Sequence, residues 1–156
     1  MNEVSERIPS NANECRIAAP EAAVIETKVR SGSSALGGGV ATLFLLSPDQ
    51  KILEGAILGW DWTRTSFPSE LAYWPNVCDA IAHNRAVSID ETDARSHELG
   101  WFERGGSHAT VRVPMCAGDR VLGVLFFDDP KRRSPRDLAA AKSIADGCAE
   151  LIARAA

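Results

Sequence analysis

Trp60, Trp62, Trp74 and Trp101 are the four tryptophans of the chain, and all fall in its middle, together with Phe67, Tyr73 and Phe102. An indole brings a large apolar face and one N–H donor, so a group of them suits a planar or partly apolar ligand. The same rings could instead close a small second core with nothing inside, and the residues alone leave both readings open. His97 and His108 lie in or next to this stretch. A neutral imidazole there could donate to a ligand carboxylate or phosphate, or ligate a haem iron, although a structural role outweighs ligation for either. No two histidines stand three or four residues apart, which excludes a zinc pair on one helix.

The other candidate groups point to ordinary roles. Cys15, Cys78, Cys116 and Cys148 are spread widely, with no CxxC spacing for a zinc site or a redox dithiol. Cys78 and Cys116 have no neighbour that would lower a thiol pKa and read as small apolar core residues. Asp90, Asp93, Asp128 and Asp129 stand at expected strand ends. The adjacent Asp128 and Asp129 would point to opposite faces, so they read as turn and loop residues rather than an acid–base pair. No GxSxG, HExxH or Ser/His/Asp signature is present. Ser31 to Gly39 is glycine-rich but lacks the Gly-Lys-Ser/Thr ending of a phosphate loop, and reads as a flexible connector. Lys131, Arg132 and Arg133, with Arg136, form the one basic cluster and read as a solvated turn, with a partner contact as the minority reading.

The elements that must position these groups follow from periodicity. Residues 1 to 19 are polar and aperiodic and read as a frayed tail, with a single domain over 20 to 156. Pro20 to Val29 starts a short helix that the Ser/Gly stretch breaks. Val40 to Ser47 and Lys51 to Trp60 form a hairpin about the turn Pro48-Asp49-Gln50. Pro75 to His83 is a helix with Val77, Cys78, Ala80 and Ile81 on one face. Ala86 to Asp90 is a short strand, and Ser96 to Arg104 a short helix stopped by Gly105-Gly106. His108 to Met115 and Arg120 to Asp128 are strands joined at Ala117-Gly118-Asp119, the second apolar enough to lie central in a sheet. Ser134-Pro-Arg-Asp137 caps a helix running to about Ala155, with Leu138, Ala141, Ile144, Ala145, Cys148, Leu151 and Ile152 as its apolar stripe.

Composition narrows the function classes. The 156 residues, 45% hydrophobic and 24% charged, suffice for one globular domain without disulfide or metal staples. Seventeen Lys and Arg against twenty-one Asp and Glu leave a net charge of −4, which gives no electrostatic reason to bind nucleic acid. The apolar run Val121 to Phe127 falls far short of the roughly 20 residues that cross a bilayer. The opening Met1-Asn-Glu-Val-Ser-Glu-Arg is not a secretory signal, so a cytoplasmic location with reduced thiols is expected.

The ordered set of segments resembles the GAF family of small-molecule sensor domains over roughly residues 36 to 155. ATLFLLSPDQKILEGAILG is similar to the family's first hairpin, and VCDAIAHNRAVSIDE to its middle helix and following strand. WFERGGSHATVRVPMCAGDRVLGVLFFDDP is similar to its stretch of short helix, strand ending "vPl", turn and "viGvl.l.d" strand. SPRDLAAAKSIADGCAELIARA is similar to its terminal helix. The resemblance implies an α+β fold with an antiparallel sheet of five or six strands, terminal helices on one face and a ligand pocket on the other. In that arrangement the middle segment wraps the pocket side, which makes Trp60, Trp62, Trp74, Trp101, Phe102 and His108 the candidate ligand-binding residues. The chain departs from the family in its short first helix. It also lacks the cysteine–histidine pair that attaches a bilin, since neither Cys78 nor Cys116 is followed by His.

The implied function is a sensory domain that binds a small molecule and relays occupancy through its terminal helices to a separate output protein or domain. No metal or catalytic residue is expected, nor is binding to a membrane or nucleic acid, and the residues identify no particular cofactor. A homodimer through the terminal helix Ser134 to Ala155 is expected, helped by alanines at 139, 140, 141, 145, 149 and 153. One alternative is a protein-interaction or dimerisation module with a filled pocket. A second is a thiol-dependent reductase of free methionine sulfoxide, like some single GAF-like proteins, using Cys78 and Cys116.

Overall fold

The structure is a computed structural model that describes residues 19–57, 63–64, 69–90 and 108–155. Its first element, α1 (Ala19–Ala35), feeds the antiparallel hairpin β1 (Val40–Leu46) and β2 (Ile52–Ile57). Two-residue strands β3 (Thr63–Arg64) and β4 (Ser69–Glu70) both pair with β2. A 3₁₀ turn (Leu71–Tyr73) leads into α2 (Pro75–His83), and then come β5 (Val87–Asp90), β6 (Ala109–Ala117), β7 (Arg120–Asp128) and α3 (Pro135–Ala155). The sheet runs β3-β2-β1-β7-β6-β5, with β4 also on β2, and the pairings among the described strands are antiparallel. Five of its strands have four residues or more, as the family resemblance implies.

Strand alternation divides the core into two layers. Ala41, Leu43 and Leu45 of β1, Val111, Val113 and Met115 of β6, and Leu125 and Phe127 of β7 point one way. They meet Ile25 and Val29 of α1 and Ala141, Ala145, Cys148, Ala149 and Ile152 of α3. The opposite parity faces α2: Phe44, Leu46, Leu53, Val124 and Phe126 pack with Trp74 and Val77. The strand β7 lies between β1 and β6 with Leu122 to Phe127 buried, so the central position expected of the most apolar strand is the one observed. Gly123 permits this contact, because a Cβ there would stand 2.1 Å from the Phe44 carbonyl oxygen.

Local chemistry sets the boundaries. Ser134 Oγ accepts the Asp137 N–H at 3.2 Å while the Asp137 carboxylate accepts the Ser134 N–H at 3.1 Å, a reciprocal cap. Pro75 opens α2 at its first turn, and Asn84 closes it in the left-handed region.

One expectation is overturned. The stretch Ser31 to Gly39 is no connector: α1 is 17 residues long and continues through Ser31, Gly32, Ser33, Ser34 and Ala35. The helix ends in a Schellman arrangement, with Gly38 N–H donating to Ser33 O at 2.8 Å and Gly37 N–H to Ser34 O at 2.9 Å. Two hydroxyls bond back to the preceding turn, Thr27 to the Ala23 carbonyl and Ser31 to the Thr27 carbonyl. Gly32 lets the helix approach the sheet, since a Cβ there would lie 3.0 Å from the Phe127 ring and 3.5 Å from Ile144. Tertiary packing thus overrides the poor helix propensity of Gly and Ser, and the departure from the family's long first helix disappears. Of the expected tail over 1 to 19, only Ala19 is described, and it opens α1. The expected helix over 96 to 104 lies outside the described residues.

Candidate functional site

The α2 side of the sheet is chemically mixed, whereas the α1/α3 side is hydrocarbon. Its apolar half is a cluster of rings and alkyl chains in which the Phe44 and Phe126 centroids lie 4.7 Å apart and Trp74 meets Phe126 edge-on at 5.7 Å. The other half is polar. Thr42 of β1 and Thr110 and Arg112 of β6 are the buried polar or charged residues of the described chain, and Thr110 and Arg112 are fully buried.

Register explains why they converge. Phe126 pairs with Thr42 on one side and with Arg112 on the other, so these three form a row across β1, β7 and β6. Val87 of β5 extends that row, opposite Arg112. The next row on the same face places Ile89, Thr110 and Asp128 abreast. The Arg112 guanidinium lies over the Phe126 ring at 4.5 Å and the Trp74 ring at 5.3 Å, two cation–π contacts. The Thr110 hydroxyl is buried and has no hydrogen-bond partner among the described residues. A planar cation held between rings beside buried hydroxyls can hold an oxyanion or stack on a planar group.

The six sequence candidates fare unequally. Trp74 stands on this face, 5% exposed, in contact with both Arg112 and Phe126. His108 immediately precedes β6; its side chain is exposed, and its main-chain N–H donates to the Asp129 carboxylate at 2.8 Å. Trp60, Trp62, Trp101 and Phe102 lie outside the described residues, as do His97, Phe67 and Asp93. Arg112 and Thr110 escaped the sequence reading. The available signal was the alternation Thr110-Val111-Arg112-Val113, which puts a threonine and an arginine on one face of the strand.

The thiols offer no activated nucleophile where their titration is resolved. Burial pushes the Cys116 thiol up, more than the nearby Lys142 ammonium lowers it. Its Sγ donates to Asn84 Oδ1 at 3.0 Å, and its main-chain N–H donates to Asp146. Cys148 is pushed up to about 12 by burial. Cys78 donates to the Leu71 carbonyl at 3.4 Å. Among the described residues no group of three His, Cys, Asp or Glu side chains could hold a metal ion. No described helix is long and apolar enough to cross a membrane. The basic cluster is an exposed turn, in which the main-chain N–H groups of Lys131 and Arg132 donate to the Leu36 carbonyl and Arg133 bonds Ser88.

Solved structures share this architecture at low identity. The red/green cyanobacteriochrome NpR6012g4, in its red light-absorbing state, aligns with a TM-score of 0.67 at 12% identity, over 87% of this chain and 96% of that one. The PixJ GAF domain of Thermosynechococcus elongatus, in its blue-light absorbing form, gives 0.65 at 16% identity over 86% of each chain. Residues 122 to 287 of a methyl-accepting chemotaxis protein give 0.63 at 14% identity, over 84% of this chain and 90% of that one. No curated protein matches in sequence. The family model for the GAF domain matches residues 22–152, which takes in every strand described above and most of α1 and α3. The chain belongs to the GAF domain family.

Proposed function

We propose that this GAF domain is a sensory module: a small molecule held on the α2 side of the sheet alters the packing of the domain, and α1 and α3 pass the change to a separate output protein or domain. The observation that carries this reading is the burial of Arg112, Thr110 and Thr42 among the rings of that face. A core that only had to be filled would be more stable with alkyl side chains in those places. The similar cyanobacteriochromes and the chemotaxis protein add support, since their names describe light absorption and chemotaxis. Trp74 is one wall of the proposed site, Trp60, Trp62, Trp101 and Phe102 are candidates for the rest, and His108 for its rim. The domain acts in the cytoplasm as a non-enzymatic partner of its output.

The test is a thermal-shift and tryptophan-fluorescence screen with small metabolites. A ligand that binds the native state raises the melting temperature, and one that reaches Trp74 changes indole emission. A compound doing both supports the reading. A second reading, an interaction module with a filled face, is favoured by the tight cluster of Phe44, Leu46, Leu53, Trp74, Val77, Val124 and Phe126. Silence of the whole screen, with indole emission insensitive to every compound, overturns the sensor and leaves that module.

A further inference from the structure

Four of the chain's seventeen Lys and Arg fall between positions 131 and 136, in the turn that joins β7 to α3. We propose that this turn is a docking surface for an acidic segment of a separate protein, gripped by Lys131, Arg132, Arg133 and Arg136. That this protein is the output partner of the domain rests on the sensor reading above.

All four residues are exposed, and the backbone beneath them is tied to the domain at several points. The main-chain N–H groups of Lys131 and Arg132 both donate to the Leu36 carbonyl, just past the end of α1, each at 2.8 Å. The turn lies against Gly37, where a Cβ would stand 2.9 Å from Lys131 Cβ and 3.4 Å from Arg132 Cγ. Arg133 Nη1 donates to Ser88 Oγ of β5 at 3.2 Å, and the reciprocal cap of Ser134 and Asp137 closes the far side. The cations thus stand on a preformed backbone, which lowers the ordering cost of binding.

Their charge is not used up inside the domain. Among the described residues the side chains of Lys131, Arg132 and Arg136 make no hydrogen bond or ion pair, whereas Arg30 pairs with Glu26 and Lys142 with Asp146. Hydrogen bonds from Ser134 occupy the Asp137 carboxylate and chiefly hold its pKa below the ordinary range, with Arg132 and Arg136 adding to the effect. Three of the four cations are arginines, whose planar forks take a carboxylate through two parallel bonds.

The surroundings favour a protein segment over a nucleic acid or an anionic membrane. Fields between exposed charges fade over about 8 Å at physiological ionic strength. A short run of Asp and Glu laid on the turn therefore meets mainly these four cations. A duplex or a lipid surface would also meet the rest of a chain whose net charge is −4. The turn bonds to the end of α1 and leads into α3, the two helices of the proposed relay, so a change in their packing reaches a segment docked there.

The experiment is fluorescence anisotropy of the whole chain with a labelled peptide of about ten residues alternating Glu and Gly, beside its Gln and Gly counterpart. The acidic peptide should bind, several-fold more weakly at about 300 mM than at about 50 mM salt, and the Gln peptide should not. Arg132→Glu combined with Arg136→Glu should weaken binding about tenfold. Lys51→Glu combined with Arg120→Glu changes the net charge equally at exposed sites, Arg120 being at the other end of β7, and should leave affinity within about twofold. Arg132→Gln combined with Arg136→Gln should give a smaller loss in the same direction, which keeps the test decisive if charge reversal disturbs the turn. Equal losses in the two charge-reversed variants, binding of the Gln peptide, or no binding of the acidic one overturns the docking surface. Tighter binding of phosphatidylserine vesicles or a DNA duplex, lost in the Arg132→Glu and Arg136→Glu variant, overturns it in favour of that partner. None of these outcomes touches the sensor reading, which stands or falls by the metabolite screen.

Discussion

Cys148 shows how much one side chain is governed by what covers it. It lies wholly buried between α3 and the sheet, and burial drives its pKa from 9.0 to about 12. The folded protein therefore keeps a proton that the unfolded chain releases. The stability tied to this thiol is complete below pH 9 and is lost as pH climbs from 9 toward 12. In full it amounts to about 4 kcal/mol. Urea unfolding of wild type should weaken more steeply over that range than unfolding of Cys148→Ala, and parallel pH profiles would show that the thiol titrates alike in both states. From sequence Cys148 was legible as part of an apolar stripe. Arg112 was not legible as buried, because the alternation Thr110-Val111-Arg112-Val113 states only that the strand has two faces. Whether the polar face meets solvent is decided by chain far from it in sequence.

At the level of elements, local signals worked where they were self-contained. The cap Ser134-Pro-Arg-Asp137, the turn at Ala117-Gly118-Asp119 and the proline-led helix from Pro75 all stand where their residues placed them. Helix α1 is the counterexample, since its second half is poor helix-forming sequence made stable by contact with the sheet and α3. Gly32 is the point of closest approach to Phe127, which is fully buried and has little room to yield. Gly32→Leu should therefore destabilise the domain by about 1–3 kcal/mol through overpacking, read as a lower urea midpoint. An unchanged midpoint would mean that α1 does not press on the sheet here.

For the whole molecule, the two faces of the sheet divide the labour. The α1/α3 layer closes one side with alkyl groups, and its inner alanines, Ala141, Ala145 and Ala149, are used up within the chain. What a second copy would meet is the outer side, where Ala139, Ala140, Ser143 and Ala153 of α3 and Val24 of α1 are exposed. These small side chains permit close helix approach. The expected homodimer through the terminal helix should appear in light scattering as a species of twice 16.8 kDa at tens of micromolar. A single species at 16.8 kDa under those conditions would remove the dimer from the signalling scheme.

Sequence alone determined the alternating strands, the capped terminal helix, the central place of the Arg120 to Asp128 strand and, through their order, the family. Each follows from spacing between near neighbours, which the chain carries wherever it folds. The tertiary structure decided that the Ser/Gly stretch is helical, that Trp74 sits against Phe126, and that Arg112 and Thr110 share a buried face. These depend on the pairing of strands remote in sequence and on what the layers above and below exclude from water, and neither is set until the sheet closes.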